Sequence, residues 1–250
     1  MANLSCQPLR LKPHSYPGAL ITFCGVDGSG KSSLIDSLVR ACAEGGLSHV
    51  KTATPTSRIR KDAVFRHMVE DPSNTSTPRS SSYESAGRIN VLGVLLSIMG
   101  DLIQHTTDTI IPALKRGDVV FCDRYVYTSQ AEIVARTDLR ETGPVLESIA
   151  QHILQPDLAF GLNVSEETSY RRVRARNDPS DQPPPKEFLA RQVAAYRAVI
   201  AANRLVPLDT EDDLDATIER AAVYFARIER LAHHAPRSSI QQTRIASLYG

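Results

Sequence analysis

Glycines, serines and a lysine make up most of the segment GVDGSGKSS at 25–33. Its spacing, Gly25-x-x-x-x-Gly30-Lys31-Ser32, lies between an apolar run and a helical pattern. Glycines allow a tight turn whose amide hydrogens point at an anion, and the start of a helix adds a positive dipole. A lysine and a hydroxyl at the end of such a turn suit the phosphates and Mg²⁺ of a nucleoside triphosphate.

This pattern predicts a phosphate-binding loop in which Lys31 contacts the β- and γ-phosphates and the Ser32 hydroxyl coordinates Mg²⁺. The alternative is a glycine-rich turn that begins a helix and binds nothing, but the strand, loop and helix patterns agree here. The motif alone does not separate a switch, a motor and a small-molecule kinase. The residues expected to contact ATP are Gly25, Asp27, Gly28, Ser29, Gly30, Lys31, Ser32 and Ser33.

A second segment, GDVVFCDRYVYTS at 117–129, has an acid and an arginine at the end of a strand pattern. The strand would deliver Asp123 to the carboxyl edge of a sheet, where nucleotide sites place a carboxylate near Mg²⁺. The neighbouring Arg124 can bind a phosphate through two parallel hydrogen bonds. The alternative is an exposed ion pair of little energetic weight.

A third segment, YRRVRAR at 170–176, contains four arginines on one predicted helix. Arg172 and Arg176 are four residues apart and therefore share a face. A proline-rich loop follows, so we expect a short basic lid at about 171–187 that closes over the nucleotide. Such a lid supplies positive charge to the transferring phosphoryl group and excludes water. A solvated basic face is the alternative.

Alternating strand and helix patterns predict how these segments are positioned. Apolar runs predict strands at 19–25, 49–56, 118–123, 155–164 and 205–209. Helical periodicity predicts helices at 31–46, 60–70, 84–115 (interrupted by Gly100 and Pro112), 165–176, 186–203 and 211–234. The alternation indicates an α/β fold with a central parallel sheet covered by helices on both faces.

Composition limits the possible functions and the number of domains. The chain has 250 residues, 42% hydrophobic content and a net charge of +1, which predicts one globular domain without a general attraction to nucleic acid or membranes. Four cysteines show neither metal-ligand nor disulfide spacing, so we expect a cytoplasmic protein. We predict a flexible N-terminal extension at 1–16, one domain at 17–232 and a flexible tail at 233–250.

In combination these segments resemble the thymidylate kinase family of P-loop nucleoside monophosphate kinases. The likeness covers about 18–232 and includes an acid, Asp27, inside the phosphate-binding loop. It implies ATP and Mg²⁺ as cofactors, a nucleoside monophosphate as the acceptor and a possible homodimer. The segments that carry it are FCGVDGSGKSS, QHTTDTIIPALKRGDVVFCDRY, DRYVYTSQA, PDLAFGLNVSEETSYRRVRAR and FLARQVAAYRAVI.

The resemblance also implies roles for individual residues. Asp27 would bind the sugar hydroxyl of the acceptor, and Arg124 would hold the acceptor phosphate or bridge donor and acceptor. Because the loop at 25–32 has no arginine, charge in the transition state would come from the lid. The implied catalytic residues are Lys31, Asp123, Arg124, Arg172 and Arg176, with Ser32 and Asp123 at the metal. The implied acceptor-binding residues are Asp27, Arg58, Arg124, Tyr125, Ser129 and Glu132.

Three positions on the acceptor side depart from the family pattern. Leu102 stands where the family has an arginine, and Glu132-Ile133 replaces a tyrosine-glutamine pair. The Arg-Glu-Pro-Gly-Gly segment is present only as TATPTSRIR, which keeps Pro55 and offers Arg58 or Arg60 as substitutes. Arg88 is a further candidate for the missing arginine. Because aliphatic residues replace hydrogen-bonding ones, the sequence leaves the identity of the acceptor open.

The leading hypothesis is ATP-dependent phosphoryl transfer to a nucleoside monophosphate, either dTMP or a related or modified pyrimidine deoxynucleotide. An alternative is a kinase for a nucleoside or another small alcohol, for which Asp27, Asp123 or Glu132 could act as the base. A nucleotide-binding regulator is the alternative from another class, although the basic lid favours phosphoryl transfer.

Overall fold

A computed structural model describes residues 6–62, 88–136, 139–176, 183–211 and 213–228. Within these ranges, five parallel strands form one sheet in the order β2-β3-β1-β4-β5. This confirms the predicted α/β class. The strands are β1 Ala19–Cys24, β2 His49–Ala53, β3 Val119–Asp123, β4 Leu158–Asn163 and β5 Val206–Asp209.

The central strand β1 is buried along its whole length, as an all-apolar run predicts for a parallel sheet covered on both faces. It lies between β3 and β4, with Phe23 in register with Asp123. The carboxyl ends of β1 and β3 therefore meet at one edge of the sheet. The sheet thus brings the loop after Cys24 next to Asp123.

Helices cover both faces of the sheet. One hydrophobic cluster joins Ile21 and Phe23 to α1 and α9, and a second joins Leu20 and Cys24 to helices on the other side. The predicted two-sided covering is therefore confirmed. The helices are α1 Lys31–Glu44, α2 Ser57–Lys61, α3 Arg88–His105, α4 Ile111–Arg116, α5 Val126–Arg136, α6 Leu139–Ala150, α7 Glu166–Ala175, α8 Lys186–Ala202 and α9 Leu214–Phe225.

The long helical region predicted at 84–115 is interrupted at a different place than expected. Helix α3 continues through Gly100, whose substitution site has open space around it. The interruption is a π-helical turn at Thr106–Ile110, directly before Pro112. Proline lacks an amide hydrogen and clashes with the preceding turn, and a wider turn accommodates it. Of the helix predicted at 60–70, residues 63–70 lie outside the described residues.

The N-terminal segment is packed on the domain over its described residues. The Lys12 amide donates to the Ile153 carbonyl at 2.8 Å, and the Gln155 amide donates to the Lys12 carbonyl at 2.7 Å. Cys6 packs on a small cluster between α5 and α8. Residues 6–16, which the sequence predicted as part of a flexible extension, therefore have backbone and side-chain partners in the domain. The tail at 233–250 lies outside the described residues.

The helices of the described ranges are each too short or too polar to cross a lipid bilayer.

Candidate active site

The loop between β1 and α1 has a backbone that only glycine adopts easily at two positions. Gly28 and Gly30 have φ angles of 76° and 83°. A Cβ on Gly28 would lie 2.6 Å from the Ser169 carbonyl oxygen, so α7 contacts the loop here without room for a side chain. Around Gly30, no atom of the described residues comes within 4 Å of such a Cβ. The loop is therefore packed at Gly28 and open at Gly30.

Lys31 is the buried cation of this loop. Its Nζ donates to the carbonyl oxygens of Gly25 and Val26, each at 2.8 Å, and lies 3.4 Å from Ser29 Oγ. Burial, reinforced by the nearby Arg124 cation, lowers the pKa of Lys31 from 10.5 to about 8. The lysine therefore ties the loop to itself and holds a positive charge next to the amides that would face a phosphate.

Ser32 and Asp123 offer oxygen atoms that fit a magnesium ion. Ser32 is exposed in the first turn of α1. Asp123 Oδ1 is buried and has no hydrogen-bond partner among the described residues. Such an oxygen is costly unless a ligand pairs with it. In the described ranges, no cluster of three or more His, Cys, Asp or Glu residues could hold a metal ion by itself. This is compatible with Mg²⁺, which is commonly bound through one or two carboxylates plus substrate phosphates.

Arg124, directly after β3, has an unusual backbone conformation that several contacts fix. Its φ is +67°, which is uncommon for a residue other than glycine. Its amide donates to the Phe23 carbonyl at 3.1 Å, and its carbonyl accepts from Thr54 Oγ1 at 3.1 Å. Strained backbone of this kind persists where surrounding contacts over-determine it. The backbone that carries the guanidinium group is therefore fixed relative to the sheet.

The guanidinium of Arg124 has partners on two sides. Nη2 forms an ion pair with Asp27 Oδ1, and Nη1 donates to the hydroxyl of Tyr196 at 3.4 Å. The Arg124 cation, with smaller effects from Lys31 and Arg176, lowers the pKa of Asp27 from 3.8 to about 2. Conversely, Asp27 raises the pKa of Arg124 further above its ordinary value. Asp27 is therefore a carboxylate at any pH near neutrality.

The base of the predicted lid is attached to the loop. Ser165 caps α7 by accepting from the Thr168 amide at 3.2 Å. The acid that reaches the Ser165 amide is Glu211, from the segment after β5. Burial alone would raise the pKa of Glu211, but hydrogen bonds with Thr168 and Ser165 outweigh it and the pKa is lowered. Ser169 Oγ donates to the Asp27 carbonyl at 2.7 Å, which joins helix and loop.

The two arginines predicted to share a face of this helix both lie on the side of the loop. Arg172 donates to the Gly28 carbonyl at 3.4 Å and to the Glu211 carbonyl at 3.2 Å. Arg176 is exposed and close enough to Asp27 to lower its pKa. Arg172 is thus attached to the loop backbone, whereas Arg176 stands at the end of α7, next to the part of the lid outside the described residues.

The remaining arginines of this helix contact other groups. Arg174 lies over the Tyr170 ring at 5.9 Å, and Arg171 donates to Thr168 Oγ1 at 3.3 Å. Both therefore contact side chains of their own helix, which leaves Arg172 and Arg176 as candidates for the donor phosphates.

A groove next to β2 contains Arg58 and Arg60, the two candidate substitutes for the arginine of the Arg-Glu-Pro-Gly-Gly segment. Its volume is about 520 Å³, and Pro55, Arg58, Arg60 and His105 are among the residues that line it. The short helix α2, which carries both arginines, is held by Asp101. The two carboxylate oxygens of Asp101 accept from the Thr56 amide at 2.8 Å and the Thr56 hydroxyl at 2.6 Å.

Tyr125, which was predicted for the acceptor side, belongs to the hydrophobic core. Tyr125 is 2% exposed and donates its hydroxyl proton to the Leu154 carbonyl at 3.0 Å. The expectation that it contacts the acceptor is therefore not supported, because both its ring and its hydroxyl are already engaged. Leu102 and Ile133, two of the departures from the family pattern, are also buried. Ser129 is half-buried on α5, and the side chain of Arg88 lies outside the described ones.

Sequence analysis missed two residues of α8 that reach this site. Tyr196 donates its hydroxyl proton to Glu132 Oε1 at 3.0 Å, and Gln192 Nε2 donates to both carboxylate oxygens of Glu132 at 3.2 Å. Ser169 on α7 was missed as well. The only signal was that Gln192 and Tyr196 are four apart and share a helix face. Nothing local indicated which face would meet Arg124.

Comparison with known proteins agrees with this geometry. Residues 23–220 match the family model described as thymidylate kinase. A thymidylate kinase of Chromohalobacter salexigens is 31% identical over 221 residues, which cover 86% of this chain and 98% of that protein. Another, of Pseudomonas putida, is 32% identical over 203 residues, covering 80% and 90%. A third, of Pelobacter propionicus, is 30% identical over 183 residues, covering 73% and 78%.

Proposed function

Because the chain belongs to the thymidylate kinase family, we propose that it transfers the γ-phosphoryl group of ATP to thymidine monophosphate (dTMP), giving ADP and thymidine diphosphate. The observation that carries the proposal is the meeting of the phosphate-binding loop with the Arg124–Asp27 ion pair at one edge of the sheet. A cradle for the donor phosphates thus lies beside a fixed cation for the acceptor phosphate.

The loop and the lid would bind the donor nucleotide. The backbone amides from Gly25 to Ser33 would contact phosphate oxygens, and Lys31 would contact the β- and γ-phosphates. Arg172, which already contacts the loop, and Arg176 would neutralise charge on the transferring group. Closure of the lid would exclude water and so limit hydrolysis of ATP.

Ser32 and Asp123 would hold Mg²⁺, which neutralises charge on the β- and γ-phosphates when it is bound. Asp123 Oδ1, which is buried and lacks a hydrogen-bond partner within the described ranges, supports this assignment. Two elements would position these oxygens. Helix α1 carries Ser32 in its first turn, and β3 places Asp123 in register with Phe23 of β1. The donor phosphates and the two oxygens would therefore share one side of the loop.

On the acceptor side, Arg124 would hold the monophosphate and Asp27 the sugar hydroxyl. Arg58 and Ser129 would contact the acceptor from α2 and α5, and Glu132 would act near the sugar edge. An acceptor phosphate is ionised near neutral pH, so the reaction needs no dedicated base. Catalysis would then rest on positioning and charge neutralisation.

A nucleoside or alcohol kinase is the less favoured candidate. Such an enzyme needs a base near the attacking hydroxyl. Asp27 is paired with Arg124 and its pKa is lowered to about 2, so it is a poor proton acceptor near neutral pH. Glu132 is engaged with Tyr196 and Gln192. Membership of a monophosphate kinase family argues in the same direction, and also against a non-catalytic regulator.

The test is ADP release from Mg²⁺-ATP across a panel of acceptors: dTMP, dUMP, UMP, CMP and the matching nucleosides. We expect turnover that depends on a monophosphate and is highest with dTMP. Lys31→Ala should reduce kcat by at least about a hundredfold because it removes a cation at the transferring group. Arg124→Ala should mainly raise KM for the acceptor. Turnover with nucleosides alone, or full activity of Lys31→Ala, would contradict the proposal.

A further inference from the structure

Three polar side chains from α5 and α8 form a hydrogen-bonded cluster beside the candidate site. The half-buried carboxylate of Glu132 accepts from Tyr196 at 3.0 Å and from Gln192 at 3.2 Å. Buried polar groups of this kind are costly unless they are paired, and a fully paired set rigidifies its surroundings. The cluster therefore fixes the hydroxyl of Tyr196 in one orientation.

The direction of these hydrogen bonds leads to Arg124. The Tyr196 hydroxyl has one proton, which it gives to Glu132, so a lone pair of the same oxygen faces Arg124 Nη1 at 3.4 Å. An oxygen whose proton is donated to a carboxylate accepts more strongly from a cationic N–H. The other side of the guanidinium is held by Asp27. A continuous chain of contacts therefore runs from Glu132 through Tyr196 and Arg124 to the phosphate-binding loop.

We propose that Glu132 is a positioning residue that acts through Tyr196 to fix the guanidinium of Arg124 for the phosphate of the acceptor. The inference rests on the proposed function, and it assigns Glu132 a task beyond contact with the acceptor sugar. Arg124 needs two partners because one ion pair leaves its guanidinium free to turn about the last side-chain torsions. The Tyr196 hydroxyl holds the Nη1 side of the guanidinium, and together with Asp27 it fixes the plane of that group.

A purely structural role for the cluster is the competing explanation, since α5 and α8 also pack through Phe188 and Val134. The two explanations differ in which ligand should be affected. Loss of packing would weaken every ligand of the pocket. Loss of the Arg124 orientation should weaken only ligands that carry a phosphate at the acceptor position.

The experiment measures binding of dTMP and of thymidine by calorimetry, with KM for dTMP and for ATP, in the full chain. The variants are Tyr196→Phe and Glu132→Gln. Matched controls are Tyr224→Phe and Glu219→Gln, which change the same side chains at exposed positions of α9. We expect Tyr196→Phe to weaken dTMP binding about tenfold, with thymidine binding and KM for ATP within about twofold of the wild type.

Because Glu132 acts on the acceptor phosphate only through the Tyr196 hydroxyl, the double variant should lose no more of the preference for dTMP over thymidine than Tyr196→Phe alone. Equal losses for dTMP and thymidine, additive losses of that preference in the double variant, or variants that match the wild type would each overturn the positioning role. Binding of dTMP without its phosphorylation by the wild type would contradict the proposed reaction instead, and the comparison of dTMP with thymidine would still decide the role of Glu132.

Discussion

At the scale of single residues, the site is a set of charges whose ionisation is fixed by burial and by close partners. Asp27 and Arg124 hold each other in their charged forms. Lys31 is the exception, because burial lowers its pKa to about 8, within reach of ordinary assay conditions. Binding of ATP at the phosphate-binding loop should therefore depend on pH more strongly than binding of the acceptor at Arg124 and Asp27.

We predict that ATP binding at pH 8 to 8.5 takes up protons. Part of Lys31 is neutral there, since burial disfavours its charged form, and bound phosphates favour that form again. Calorimetry in buffers of different ionisation enthalpy should show an uptake that falls toward pH 6.5, where the lysine is already charged. Lys31→Met should remove most of this uptake. An uptake that is unchanged in this variant would show that another group is responsible.

The residue scale also shows what the sequence could not reveal. The loop motif depends on neighbours in the chain, so its glycines, Lys31 and Ser32 were predictable from spacing. Tyr196 was not, because it meets Glu132 across 64 positions of sequence. Tyr125 was assigned to the acceptor side because the segment DRYVYTSQA resembles the family. The turn after β3 directs it into the core, and only the fold determines that direction.

At the scale of elements, the phosphate-binding loop packs against α7 at Gly28, where no room is left for a side chain. Gly28 and Gly30 both have positive φ, but only Gly28 faces another backbone. Substitutions at these two glycines therefore separate two destabilising effects that usually occur together. The strain of a side chain at positive φ is common to both positions, whereas steric contact with α7 is confined to one.

We predict that Gly30→Ala destabilises the protein by about 1 kcal/mol, from backbone strain alone. Gly28→Ala should cost at least about 1 kcal/mol more, because its methyl group would displace the Ser169 carbonyl and with it α7. Urea unfolding of both variants measures the difference. Equal losses would mean that α7 yields to the methyl group without cost and does not hold the loop.

Most elements were predictable because their signals are local. Apolar runs marked all five strands, and helical periodicity marked most of the helices. Helices α5 and α6 were not predicted. The segment 126–136 contains five β-branched or aromatic residues, which favour strands: Val126, Tyr127, Thr128, Ile133 and Val134. It is helical because its buried face packs on α8, and packing overrides this propensity.

At the scale of the whole molecule, the described part of the N-terminal segment has long-range partners that its composition did not indicate. The polar, aperiodic N-terminal segment resembled a loose end. Yet the Leu9 amide donates to Asn203 Oδ1 at 2.7 Å, and Gln130 Nε2 donates to the Gln7 carbonyl at 2.8 Å. These long-range partners lie on α5 and next to α8, so the segment braces the helices that carry Glu132 and Tyr196.

We predict that removal of residues 1–11 lowers thermal stability by several degrees and weakens acceptor binding. It exposes the hydrophobic surface under Cys6 and Leu9 and leaves the buried amide of Gln130 without its Gln7 partner. Removal of 233–250, whose composition is polar and aperiodic, should leave both properties unchanged. Calorimetric unfolding and dTMP titration test both truncations. An N-terminal truncation with wild-type stability would contradict the bracing role.

The backbone contacts of Arg124 have an evolutionary consequence. Its amide and carbonyl bond to Phe23 and Thr54, so the proposed contact with the acceptor phosphate depends on the sheet and not on the residues that would contact the nucleobase. Mutations around Arg124 could then change which nucleoside monophosphate is preferred, while the proposed binding of its phosphate by Arg124 is retained. Descendants of such a scaffold would diversify in base preference long before they lost the reaction.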